Sequence, residues 1–367
     1  MARGSNFRYI IPVLALTILG ETCFAFSFED TEFKGDLRLR YQYDHLSEVQ
    51  TSTQRHRARG RLRFGLETAL NERVSVGIRM ASGQTDNRST NQTLGDFFVT
   101  KDIRLDMAYA AWQATEEVGL VLGKYRNAFL VVDDLIWDGD INFEGASALW
   151  KRPPAGGIGG LANAGFLVLK EEKSSSEDQY MFYVQPGVSF SAAGDFTGEF
   201  GIAFYGFENV KGSVPDGDLS SGTNTLVDGR LKYDYDSLSP NLVLAYRVGG
   251  EDGPPYTLTF IGDYVYSFDS KDSGFLAGFR FGHAKVKTGN SWSAYYNYRR
   301  LERDAFMDVF PDSDFYCGST GVSGHEVIFE YAVARSVILG LDYYRARKLE
   351  GDEDPLDTLQ LDCVFKF

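Results

Sequence analysis

Residues 358–367 read Thr358-Leu-Gln-Leu-Asp-Cys-Val-Phe-Lys-Phe367. Leu359, Leu361, Cys363, Phe365 and Phe367 fall on one parity; Gln360, Asp362, Val364 and Lys366 fall on the other. This alternation is the period of a β-strand whose two faces meet different surroundings. A strand with a continuous aromatic and aliphatic face at the end of a chain suits a transmembrane β-barrel, whose last strand must close on its first with that face toward lipid. Phe365 and Phe367 also resemble the C-terminal signal by which such proteins are handed to the barrel-assembly machinery of the outer membrane.

The N-terminal residues agree. Arg3 and Arg8 precede the apolar run 9–20, and Cys23-Phe-Ala25 places small residues at the −3 and −1 positions of a cut after Ala25. A cut after Ser27 is the close alternative. This pattern predicts a secretory signal peptide over residues 1–25. The run is too short to span a bilayer, and no later stretch approaches eighteen consecutive apolar residues. Residues 26–367 are then expected to form one membrane domain, and the fold that pairs every backbone group in lipid without apolar helices is a closed barrel.

Composition fits. With 28 Phe, 21 Tyr and 39 Gly in 367 residues, the chain is rich in what strands, tight turns and interfacial girdles use. Its mean hydropathy of −0.24 is polar for a membrane protein, as follows when alternate strand residues face water. The net charge of −14 argues against a nucleic-acid partner. Cys317 and Cys363 are expected at opposite ends of the barrel and unpaired.

Sixteen alternating segments can be traced from Phe33–Tyr43 to Pro355–Phe367, with breaks that are short and long in turn. Removing the first 25 residues leaves 342, or about 21 per strand and connection, which suits a sixteen-stranded antiparallel barrel. Fourteen or eighteen strands are the alternatives. The segments Phe143–Lys151 and Asn163–Glu171 are the weakest, because Pro153, Pro154 and a glycine run blur the turn. Residues 226–235 could be loop or strand extension. A soluble multi-sheet or propeller protein would show blade repeats, and none is found.

Parity also places charge. Arg57, Arg59, Arg61 and Arg63 alternate with Ala58, Gly60, Leu62 and Phe64. Arg38, Arg40 and Arg79 take the same sense on neighbouring segments. A guanidinium at mid-bilayer costs ~2–4 kcal/mol on the lipid face, so these seven arginines should point inward. They could line the permeation path, or pair with lumen carboxylates and brace the wall. The counter-charge has a candidate in residues 127–142, where Phe129, Leu130, Val131, Val132, Leu135, Ile136 and Trp137 mix with Asp133, Asp134, Asp138 and Asp140. A loop that met only water would not need those apolar side chains. It is expected to fold into the barrel, narrow it and face its acids toward the channel or the arginines, giving a transverse field across a constriction. A surface loop packing on its neighbours is the bland alternative. Asp138, Asp140, Asn142 and Glu144 alternate like the start of an EF-hand loop, but Phe143 and Leu149 stand where glycine and glutamate are needed, so no metal is expected. Net charge and acidic mouths predict a weak preference for cations.

Catalysis finds no motif: the four histidines are isolated, and there is no nucleophile elbow, phosphate loop or HExxH run. No enzyme activity and no cofactor are expected.

Several runs resemble the bacterial outer-membrane "putative porin" family: Arg61-Leu-Arg-Phe-Gly-Leu66, Gly123-Lys-Tyr-Arg-Asn-Ala-Phe129, Asp134-Leu-Ile-Trp-Asp138, Phe143-Glu-Gly145, Tyr298-Arg-Arg-Leu-Glu302, Asp312-Ser-Asp-Phe315, Gly324-His-Glu326 and the terminal strand. The likeness keeps order over nearly the whole mature chain. Asn127-Ala-Phe129 departs from the Asn-Pro-Phe expected, which makes the loop entry less rigid. The resemblance implies a passive pore for ions and small hydrophilic solutes in contact with outer-membrane lipid and, by analogy with general porins, a homotrimer. The alternatives are a structural or adhesive barrel with a blocked lumen, and an outer-membrane enzyme.

Overall fold

The computed structural model describes residues 31–48, 52–173, 177–192, 195–249 and 255–367. The expected signal peptide lies outside them. Sixteen long antiparallel strands form one closed sheet: β1 (Thr31–Ser47), β2 (Ser52–Ala69), β3 (Val74–Ser82), β4 (Ile103–Gln113), β5 (Val118–Arg126), β6 (Asn142–Ala155), β7 (Ile158–Lys170), β8 (Gln179–Ala192), β9 (Phe196–Glu208), β10 (Ser237–Val248), β11 (Tyr256–Ser267), β12 (Ser273–His283), β13 (Trp292–Leu301), β14 (Val322–Ala334), β15 (Val337–Lys348) and β16 (Leu356–Lys366). Each strand pairs with the next, and β16 pairs with β1 over Leu46↔Leu356 to Asp36↔Lys366. Closure leaves no edge, which lipid requires.

The β6–β7 turn falls later than the sequence rhythm suggests. Pro153 and Pro154 sit at the end of β6, where the register shifts between Arg152 and Ala155 and the ladder can do without their missing N–H. The turn itself is Gly156-Gly157, both at positive φ. Residues 226–235 belong to a loop and carry a two-residue ribbon, Leu226–Val227 against Arg230–Leu231.

The two faces sort as the period demands. Phe33, Leu37, Leu39, Tyr41, Leu66, Ile78, Phe166, Phe260, Phe279, Phe329, Leu341 and Leu361 are exposed on the outside. Arg40, Gln42, Gln185, Asn241, Asn297, Arg299, Glu326 and Gln360 are buried on the inside. Among the described residues, Cys317 and Cys363 are both unpaired. The seam is tied at its end: Gly35 N–H donates to the Phe367 carbonyl at 2.8 Å, and Phe367 N–H to the Gly35 carbonyl at 3.0 Å. The Phe367 ring stacks on Phe33 at 5.8 Å, outside the wall.

Turns at the end bearing the termini are short. The opposite end carries the long connections, residues 83–102, 127–141, 209–236 and 302–321. The interior between them is not hollow. A cluster of buried apolar residues runs from the inner faces of β5, β6, β8 and β9 through Phe129, Leu135, Ile136 and Trp137 to Phe306 and Phe310.

Candidate functional site: the arginine wall and the loops that face it

The arginines share one surface. Arg40 stands opposite Arg59, and Arg38 opposite Arg61, across the β1–β2 ladder. Like charges placed so repel, and acids of the same inward parity offset most of the arginines on this surface. Asp36 accepts from Arg61 (2.8 Å) and Arg63 (2.9 Å), Asp44 from Arg57 (2.7 Å), and Asp362 from Arg40 (2.7 Å). Arg38 donates to Asn91 (2.8 Å), with Asp362 3.7 Å away. Arg79 on β3 bonds Asp106 on β4. It lies across Gly65, where a Cβ would meet the Ile78 carbonyl at 2.5 Å.

The 127–141 loop packs inside the barrel. Phe129, Leu135, Ile136 and Trp137 are buried there, where each such burial contributes ~1.5–3 kcal/mol, whereas Val131, expected to pack with them, stays exposed. The Asn127 side chain accepts the Phe129 N–H (2.9 Å) and starts the inward turn. Gln185 on β8 then clamps the backbone of Leu130, accepting its N–H at 2.6 Å and donating to its carbonyl at 3.0 Å. Phe129 meets Tyr183 edge-on at 4.0 Å, and Trp137 lies against Phe143 (5.3 Å) and Tyr205 (5.8 Å).

Its four acids divide. Asp140 reaches the arginine wall, 3.0 Å from Arg63, and accepts from the Thr90 hydroxyl at 2.8 Å. Burial alone would raise the Asp140 carboxyl; Arg63 and Arg61 outweigh it and hold it below its ordinary value. Asp138 is turned to backbone, accepting the N–H of Ser313 (2.8 Å) and of Asp140 (2.8 Å), and burial with Asp140 nearby pushes it up. Asp133 and Asp134 turn instead to β13. Asp134 pairs with Arg299 on β13 at 2.8 Å, and Asp133 accepts from the Tyr295 hydroxyl. Asp138, Asp140 and Asn142 are not joined by Glu144, which pairs with Lys124 at 2.5 Å.

Sequence reading missed a second inward loop. Residues 302–321 bury Phe306 and Phe310 against Trp137, at 5.3 and 4.8 Å. Their Asp314 is 2.8 Å from Arg40 and 3.7 Å from Arg59, and Arg40 and Arg59 overcome its burial to hold it at about 2. Asp312 joins Arg299 (3.3 Å) beside Glu326. Burial and Asp134 raise the Asp312 carboxyl well above its usual range. The two loops also bond directly, Asp138 N–H to the Phe310 carbonyl at 2.8 Å. The signal was present: 306–315 mixes Phe306, Met307, Val309, Phe310 and Phe315 with Asp308, Asp312 and Asp314, as 129–140 does. Arg88, from the 83–102 loop, locks the outer end. Its buried guanidinium donates to the carbonyls of Asp308 (2.9 Å), Gly318 (3.1 Å) and Leu219 (3.0 Å).

The family described as "putative porin" matches residues 46–242 and 231–367. The chain belongs to this family. The high-pH structure of Pseudomonas putida OprB superposes with a TM-score of 0.59 at 10% identity, over 92% of this chain and 94% of that one. Its low-pH structure gives 0.53 at 9% identity, over 92% and 93%. A triple mutant of the Rhodopseudomonas blastica porin gives 0.47 at 11% identity, over 92% and 100%. Among curated protein sequences none matches. Family membership makes the chain an outer-membrane β-barrel channel protein, and the arginine wall lies on the inner face of that barrel.

Proposed function

We propose that the barrel is a water-filled pore for passive diffusion of ions and small hydrophilic solutes, with no chemistry performed on them. Its bore is set where the 127–141 and 302–321 loops face the arginine wall. The Arg63–Asp140 and Arg40–Asp314 pairs carry this reading: each joins a strand of the wall to a loop folded against it. The pairs fix the loops beside the wall, and charges lining the narrowed aperture that remains would orient and sort solutes. Arg38, Arg40, Arg57, Arg59, Arg61, Arg63 and Arg79 would line one side. Asp140 would face them from the first loop and Asp314 from the second. Asp133, Asp134 and Asp138 would position the first loop rather than line the path. A homotrimer and delivery by the barrel-assembly machinery, through Phe365 and Phe367, belong to the same proposal.

Planar-bilayer recording of the purified protein tests it. Stepwise conductance with an ion-selective reversal potential is expected. Folded protein that inserts without conducting would favour a structural barrel with a blocked lumen.

A further inference from the structure

An open cleft of about 420 Å³ lies between the outer half of β2 and the 83–102 loop. The loop is stitched to β2 where β3 has ended: Gln92 and Thr93 pair with Gly60 and Arg59, and Leu94 N–H donates to the Ala58 carbonyl at 2.8 Å. Four cationic side chains line the cleft, Arg55, Arg57, Arg59 and Lys101, against two carboxylates, Asp86 and Asp96. Gln84, Ser89, Asn91 and Thr93 make the rest of the lining mostly polar.

The guanidinium partners are incomplete. Among the described residues, Arg57 has one side-chain acceptor at hydrogen-bond distance, Asp44 at 2.7 Å. Arg59 donates to the neutral oxygens of Gln42 (2.8 Å) and Ser89 (3.3 Å), and Asp314 stands 3.7 Å off. Among the described residues, Nε of both arginines has no hydrogen-bond partner. A guanidinium carries five N–H donors in a planar fork, and leaving a shielded donor unmet costs on the order of 1–3 kcal/mol. Both Nε atoms are shielded from solvent, so an oxyanion would first meet the Nη groups and gain the bidentate geometry that arginine favours where the fork turns toward it. The two residues share one face two positions apart, about 7 Å along the strand. A two-headed anion can engage both forks; a compact single-centred anion such as phosphate engages one.

We infer that this cleft binds small organic carboxylates, short dicarboxylates best, on Arg57 and Arg59 as they enter the lumen. The inference rests on the pore reading for its biological sense, but the site itself is testable without it.

Calorimetric titration of the folded, detergent-solubilised barrel with sodium succinate should show binding. Arg57→Gln with Arg59→Gln should weaken it about tenfold or more, since both forks are lost. Arg57→Lys with Arg59→Lys, which keeps charge and loses the fork, should fall between. Arg152→Gln, at the opposite end of the barrel, should bind as wild type. Heat-modifiable migration on gels verifies that each variant is folded. In bilayers, succinate should reduce potassium chloride conductance in wild type and not in the Gln double variant. Conduction without succinate binding, or binding unchanged in both double variants, overturns the site. Phosphate binding more tightly than succinate overturns the two-headed carboxylate. Succinate binding by a barrel that does not conduct would sustain the site and sink the pore.

Discussion

Arg63 Nη1 and Asp140 Oδ1 stand 3.0 Å apart, and this bond joins β2 to the loop that enters the barrel. The other carboxylate oxygen of Asp140 accepts from the backbone N–H and hydroxyl of Thr90, at 3.1 and 2.8 Å. One side chain therefore ties a wall strand to two loops. Asp140→Asn keeps the size and loses the charge. The loss should stay below the ~3–5 kcal/mol of a dry broken pair, because both partners keep some solvent contact. The expected result is a reversal potential shifted toward anions, since one carboxylate is lost beside Arg63, which Asp36 still holds at 2.9 Å, and an intact barrel. An unmoved reversal potential would remove this pair from the ion path.

Trp137 decides whether the loop is seated by packing or by charge. Its ring touches Phe129, Phe143, Tyr205, Phe306 and Phe310, so it is shared by the wall and both inward loops. Truncating a buried Trp to Ala costs ~3–5 kcal/mol in a closed core. The strand ladder does not depend on it, so Trp137→Ala should still give a heat-modifiable barrel. Its loops should be loose, and single-channel records should show higher mean conductance with more fluctuation. A quiet, wild-type trace from a folded Trp137→Ala protein would sink the loop-set bore.

Much of this was legible in sequence because a barrel writes its faces at period two. The sixteen segments, the inward arginines and the outward aromatics all follow from parity. What parity cannot give is the partner of an inward side chain across several strands. Asp36, Asp44 and Asp362 share parity with the arginines, yet their pairing with Arg61, Arg57 and Arg40 depends on register. The 302–321 loop was harder still. Its acids and aromatics were visible, but its seat against Trp137 exists only once two loops distant in sequence meet. From sequence alone the loop acids form one group facing the channel or the arginines; packing divides them, turning Asp133 and Asp134 to Tyr295 and Arg299.

Phe367 bears on assembly through contacts that can be removed. Its backbone closes the seam with Gly35 through two hydrogen bonds, and its ring stacks on Phe33. Gly35 leaves no room for a side chain, since a Cβ there would meet that ring at 2.4 Å. Deleting Phe367 removes both bonds and the stack at the point where the barrel shuts. A lower yield of heat-modifiable protein is expected in vivo. Phe367→Ala, which keeps the backbone bonds, should be milder. Equal yields for wild type and the deletion would count against a role for this residue in closure.

The two anchorages of the loops should respond to pH in opposite senses. On the arginine side, Asp140 and Asp314 are held below the ordinary carboxylate value by Arg63 and Arg61 and by Arg40 and Arg59 respectively, against the effect of burial. A depressed carboxyl stabilises the state that depresses it above its ordinary value, and that contribution is lost as pH falls through the lowered one. Around Arg299 the balance reverses. Asp134, Asp312 and Glu326 share one guanidinium, and Asp133 sits beside them on Tyr295. Burial first, and neighbouring Asp134 next, raise Asp133 and Asp312 well above their usual range. Their protonated forms favour the seated loops, so this contribution is complete below the ordinary value and fades as pH rises through the raised ones. Channel closures and current noise should therefore be least in mildly acid solution and grow toward alkaline pH. Asp312→Asn, with Asp133→Asn, should make the alkaline limb shallower, leaving the share of the raised Asp138 carboxyl, and leave the acid limb alone. Recordings across that range would settle it: an alkaline limb as steep in the double variant as in wild type would show that the carboxylates around Arg299 do not hold the loops.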